Sequence, residues 1–219
     1  GKAFVSNLID QIRNKGFAIS VILFPLMLLS GFLMHPDLLE MKMLLTAQDL
    51  VDRFHNNPMY HIGHLIVMLT VPLIIIVMVG SMNMTNHTKG RRFAFWGGVM
   101  GVFGAFILAV DKEALCLGLS AFDTLPEEQF VGLIPYLQVI VDKAGLLSIL
   151  WLLPLLPIGA AIQTIGLIKG KIVKKWQGVF VIIGLLLLYN PGIELISTIG
   201  SLLMCIGYIP WGIRIYKTY

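Results

Sequence analysis

Residues 178–213 read GVFVIIGLLLLYNPGIELISTIGSLLMCIGYIPWGI, and how this stretch divides decides the fold. Gly178–Tyr189 is continuously apolar but short. At about 1.5 Å per residue it reaches only about 20 Å, against the roughly 30 Å of a bilayer's hydrocarbon core. Ile193–Ile213 is long enough for a full crossing. Between the two stands Asn190-Pro191-Gly192, which is strong turn chemistry. Read as two helices, the stretch returns the chain to the side it left. Read as one kinked helix, it does not.

Four further runs have span length: Phe17–Met34, Tyr60–Met82, Phe93–Val110 and Leu146–Ile168. Charge chooses between five crossings and six. With six, both termini and the loops 85–92 and 169–175 share one side, which then holds 12 of the 16 Lys and Arg. The other side keeps Lys42, Arg53, Lys112 and Lys143 beside 11 of the 12 acidic residues. Short loops rich in Lys and Arg stay cytoplasmic. Five crossings would strand the basic C-terminal tail on the acidic side. The expectation is an all-α bundle of six transmembrane helices over 17–34, 60–82, 93–110, 146–168, 178–189 and 193–213. It forms a single integral membrane domain, 1–219, in the cell membrane, with both termini cytoplasmic.

Composition agrees. Of 219 residues 57% are hydrophobic and 13% charged, with mean hydropathy +0.86. That charge fraction is about half that of a soluble domain and leaves too little polar surface to coat a water-soluble globule. Disordered, collagen-like and disulfide-scaffold classes are excluded on the same numbers. The first apolar run is span-length and lacks a small-residue cleavage site, so it reads as a span and not as a secretory signal. Basic stretches interleaved with aromatics are absent, so nucleic acid is not an expected partner. The bilayer is.

Two segments on the acidic side read as amphipathic helices on the outer membrane surface. Leu38–Phe54 carries Leu44, Ala47, Val51 and Phe54 at helical spacing. Thr124-Leu125-Pro126-Glu127 has capping-box spacing, with Pro inside the first turn. It opens a helix with Phe130, Leu133, Leu137 and Val141 inward. Cys116 and Cys205 are expected about 18 Å apart in depth, beyond the reach of a disulfide.

Ionisable groups near the membrane are costly and mark function. His87 lies in the basic loop and reads as solvated. His35 ends the first span, His55 precedes the second, and His61 and His64 share a face on its first turns, continued by Met68. Asp111, Glu113, Asp142 and Glu194 stand at the same depth on neighbouring spans. Asp37, Glu40, Asp123, Glu127 and Glu128 read as outer-loop carboxylates facing water.

Three functions fit this pattern. The first is haem b, with His64, His61, His35 or Met68 as axial ligands, for electron transfer or haem handling. The glycine run Gly97-Gly98-x-x-Gly101-x-x-Gly104 could seat a macrocycle, although it equally makes a helix-packing seam. Asp111 would orient an imidazole ligand, and a quinone is a conceivable partner for an electron carrier. The second is a zinc-dependent membrane lipid hydrolase, with His61, His64 and Asp111 or Glu194 holding the ion. The third is a cofactor-free transporter or sensor built on the broken helices at Asn190–Gly192, Pro72, Pro154 and Pro157.

Overall fold

The computed structural model describes residues 1–36 and 38–219. In chain order they form α1 (Lys2–Leu33), α2 (Ala47–Phe54), α3 (Pro58–Met84), α4 (Arg91–Leu108), a π-helical turn (Ala109–Ala114) and α5 (Leu115–Phe122). There follow α6 (Glu127–Leu133), a 3-10 turn (Ile134–Leu137), α7 (Gln138–Val141), a 3-10 segment (Gly145–Leu152), α8 (Leu155–Lys169), α9 (Lys175–Leu187) and α10 (Glu194–Thr218). No strand occurs among the described residues. Among the described residues five helical stretches are long and apolar enough to cross a membrane: Lys2–Leu33, Pro58–Met84, Arg91–Phe122, Gly145–Lys169 and Glu194–Thr218. The sixth, α9, has 13 residues, so by length alone it is not a span.

Packing nevertheless places α9 as a full member of the bundle. A Cβ on Gly184 would meet Gly200, and one on Gly207 would meet Gln177 and Val181. As the residue number rises along one helix it falls along the other, which makes α9 and α10 antiparallel neighbours. The same test makes α1 and α3 antiparallel through Gly31 with Gly63 and Gly80 with Phe17. It holds for α3 and α4 through Gly98 with Met82 and Gly101 with Met78, and for α4 and α8 through Gly97 with Gly159 and Gly104 with Leu156. Gly178 rests on Ile168 and Thr164, pairing α8 with α9, and Gly212 rests on Ala18 and Ile22, pairing α10 with α1. Six helices of alternating direction therefore close into a ring. Both termini emerge at one end, together with the turns 85–90 and 170–174.

The glycine run of α4 is consumed by this packing. Gly97 and Gly104 admit the backbone of α8, while Gly98 and Gly101 admit the methionines of α3. No flat surface is left there for a macrocycle. Gln163 locks the seam by donating Nε2 hydrogen bonds to the carbonyls of Met78 (2.8 Å) and Ala94 (3.1 Å). Small residues let backbones approach, and a buried amide then joins them.

At the acidic end a second apolar cluster caps the ring: Ala47, Leu50, Val51, Phe54, Tyr60, Cys116, Leu119, Phe130 and Leu137. The expected inward faces are thus recovered, but they pack on one another and not on lipid. Gln138 ties the two segments, its Oε1 accepting from Ala47 N (2.7 Å) and its Nε2 donating to Leu45 O (3.3 Å). Three boundaries near the cap differ from expectation, and at the opposite end α1 begins at Lys2 and not at Phe17. Helix begins at Ala47 and not at Leu38, because Thr46 and Asp49 cap it reciprocally. Thr124 caps nothing. Its hydroxyl donates to Ala121 O in the turn that ends α5, and Pro126 takes the cap position of α6. The third span does not stop at Val110 but continues through the π-helical turn to Phe122, with the break at Asp111 (φ −67°, ψ −112°). Cys116 and Cys205 are both free and buried.

Candidate functional site

Beneath the cap, polar side chains from five parts of the chain meet in an apolar surround. His35 follows α1, Arg53 comes from the last turn of α2, and Tyr60 and His64 from the first turns of α3. Lys112 comes from the π-helical turn and Glu194 from the start of α10. His35, Arg53, His64 and Glu194 are each less than a tenth exposed. The Asn-Pro-Gly turn explains Glu194's position. Asn190 Oδ1 accepts from Ile193 N and Asn190 Nδ2 donates to Leu187 O, so α10 restarts at a fixed place.

Arg53 organises this centre. Its Nη1 lies 3.2 Å from Glu194 Oε1, and its Nη2 donates to Lys42 O and Gly192 O, each at 3.0 Å. Lys112 stands within electrostatic reach of Glu194, Asp111 and Glu113. Asp111 and Glu113 are both buried. The Oε2 atoms of Glu113 and Glu194 have no hydrogen-bond partner among the described residues.

The two histidines are held alike. His35 Nδ1 lies 3.1 Å from Phe32 O, and His64 Nδ1 lies 2.9 Å from Tyr60 O. A carbonyl only accepts, so each Nδ1 carries the ring proton and each Nε2 keeps a lone pair. The rings touch edge to face, with centroids 5.0 Å apart and planes at 66°, and Tyr60 packs against both. Burial lowers the His35 pKa, with Glu194 acting against it, and the net shift keeps that ring neutral near pH 7. Its bare Nε2 then faces Glu194 Oε2 across 3.5 Å. Two acceptors facing each other in a buried site repel unless a proton or a metal ion lies between them.

His61 does not join this group, although it shares a helix face with His64. Its Nε2 is 2.6 Å from Asp123 Oδ2. Asp123 Oδ1 accepts from His55 Nδ1 (2.8 Å), and His55 Nε2 reaches Glu127 Oε2 at 3.1 Å. Phe130 stacks flat on His55, with centroids 3.8 Å apart. Asp123 was expected to face water and instead bridges two imidazoles; Glu127, though exposed, bonds His55. Glu40, Glu128 and His87 are exposed as expected, and Asp37 lies outside the described residues. Met68 is partly buried, and Asp111 stands within electrostatic reach of Lys112, which also faces Glu194. Burial pulls the His55 pKa down, but its hydrogen bonds to Asp123 and Glu127 outweigh this and the net shift is upward.

Of the expected ligands, the structure gathers His35, His64 and Glu194 at one place and diverts His61 to another. Among the described residues no three His, Cys, Asp or Glu side chains stand ready to hold a metal ion. Arg53, Tyr60 and Lys112 were not expected at the site. The signal for Arg53 was its place three residues after Leu50, at the edge of α2's apolar face. Comparison with known proteins gives no matching family, curated protein or solved structure. Fold and composition together define an all-helical membrane protein, and its function rests on the residues themselves.

Proposed function

We propose that this is a membrane protein crossing the bilayer six times, both termini cytoplasmic, that binds a divalent transition-metal ion under its outer cap. The observation that carries the reading is the pair of facing acceptors, His35 Nε2 and Glu194 Oε2, 3.5 Å apart. Two ligand bonds of about 2.0–2.1 Å at a tetrahedral angle place donor atoms about 3.4 Å apart. His64, with Nδ1 anchored on a carbonyl as metal-bound histidines are, is the third donor, brought in by a side-chain adjustment on binding. Imidazole with carboxylate suits zinc among the common ions. The same spacing weighs against haem b between these histidines, since axial imidazoles lie on opposite faces of a macrocycle and these rings touch. The short α9 crosses with α10 as an antiparallel hairpin, and the charge asymmetry of the two ends supports the orientation.

Cobalt(II) titration of the purified chain tests the reading. A visible ligand-field band saturating at stoichiometric metal and displaced by zinc is the expected result. His35→Ala and His64→Ala should each weaken binding by about 10–100-fold or more. A featureless titration, or an unchanged band in both variants, would overturn it.

A further inference from the structure

The basic end of the bundle carries a second, unrelated site. The turn between α3 and α4 is stiffened by its threonines: Thr85 Oγ1 donates to Met82 O and Thr88 Oγ1 to Thr85 O. Gly90 closes it against the backbone of Gly166. Beside this turn lies a depression of about 350 Å³, lined by Asn83, Asn86, Arg91, Arg92, Phe95 and Trp96 among others. Arg91 and Phe95 are one helical turn apart, and so are Arg92 and Trp96. The backbone positions of the two arginines therefore stand about 6 Å further along α4's axis, toward the end of the bundle, than those of the two aromatics, and Asn83 and Asn86 lie at the same end, in the last turn of α3 and the turn that follows it.

That polarity step matches the boundary between lipid headgroups and acyl chains. Phe95 and Trp96 are 46% and 63% exposed, which suits contact with hydrocarbon and not with water. Neither arginine has an ion-pair partner among the described residues. Asp10 is the acidic residue that falls at this end, and it pairs with Arg13 at 3.3 Å. No carboxylate lines the depression. Arginine forks match phosphate oxygens bidentately, and basic pockets on this side of membrane bundles take anionic headgroups.

We infer that the depression between the ends of α3 and α4 is a binding site for an anionic phospholipid of the leaflet at the basic end. Arg91 and Arg92 hold the phosphate, Asn83 and Asn86 donate to headgroup or ester oxygens, and Phe95 and Trp96 seat the first part of an acyl chain. The inference rests on the bundle being embedded in a bilayer and is independent of the metal site.

The test is lipid retention by the purified, delipidated chain, read by native mass spectrometry during titration with phosphatidylglycerol or phosphatidylcholine. Phosphatidylglycerol should bind at least about tenfold more tightly. Arg91→Gln and Arg92→Gln should each weaken it by about fivefold, and together by about 25-fold, from the contribution of one basic residue near an anionic lipid. Phosphatidylcholine should be unaffected, and Lys174→Gln with Lys175→Gln, at the same end but away from the depression, should change neither. Equal loss in the lysine pair would reduce the effect to general charge attraction and overturn the site. Displacement of phosphatidylglycerol by an equal concentration of inorganic phosphate would make it a free-phosphate site. No preference between the two lipids would also refute it.

Discussion

Gly97→Ala perturbs the seam on which the whole ring depends. A Cβ at residue 97 would come within 2.5 Å of Gly159 O and closer still to Gln163 N. Ordinary contact needs about 3.4 Å or more, so α4 and α8 would have to part by about 1 Å. Both obstacles are backbone, so no rotamer change relieves them. Separation also lengthens the Gln163 hydrogen bonds to Met78 O and Ala94 O, each worth about 0.6 kcal/mol in a membrane bundle. Overpacking of this kind costs about 1–3 kcal/mol, and the sum is about 2–4 kcal/mol. For a chain of this length each kcal/mol moves Tm by about 2–4 °C, so the melting temperature should fall by about 5–15 °C. Thermal unfolding in a mild detergent, followed by near-ultraviolet circular dichroism, measures it. Gly118→Ala is the control, since nothing lies within 4 Å of that site, and helix propensity alone should leave it as stable or slightly more so. A Gly97→Ala protein melting with the wild type would refute the close α4–α8 packing.

Two further perturbations address the cap and the polar centre. His55 has a raised pKa in the fold, so its bonds to Asp123 and Glu127 stabilise the cap fully below about pH 6.5 and lose that contribution as pH rises through the higher folded value. Hydrogen exchange across 127–141, corrected for intrinsic rate, should therefore be slower at pH 6 than at pH 9, and His55→Gln should abolish the difference. Equal protection in both buffers would count against the latch. Arg53→Met leaves Glu194 buried without its guanidinium and should cost about 3–5 kcal/mol, whereas Arg53→Met with Glu194→Gln should recover much of that. Strict additivity of the two substitutions in thermal melts would mean that the pair does not interact.

Much of the architecture was legible because membrane crossing demands long apolar runs and because lysine and arginine are unevenly shared between loops. The short run Gly178–Tyr189 was legible as a separate helix through Asn190-Pro191-Gly192. Its antiparallel placement rests on contacts such as Gly184 on Gly200, which only the fold reveals. Helix boundaries near the cap were less legible. Thr46 and Asp49 form a capping box with an acidic partner, and the apolar spacing that continues N-terminal of it hid the start of the helix. At Thr124 the same spacing misled, because the preceding turn had already engaged the hydroxyl.

The histidines show where helix periodicity runs out. Spacing puts His61 and His64 on one face, yet one turn of rise separates a ring that meets Asp123 from a ring that meets His35 and Tyr60. Their partners come from residues 35, 123 and 194, which no local pattern connects. Arg53 was hidden for the same reason, since its carboxylate partner lies 141 residues away. His35, His64 and Glu194 could be nominated from depth alone; their convergence required the ring to close.

Elemental analysis of the chain purified from membranes without chelators tests the central claim most directly, with His35→Ala and His64→Ala beside the wild type. The account predicts stoichiometric zinc or a related divalent ion in the wild type and its loss from both variants, with all three proteins still folded by thermal melting. A folded wild-type protein free of metal, or variants that retain it in full, would contradict the claim.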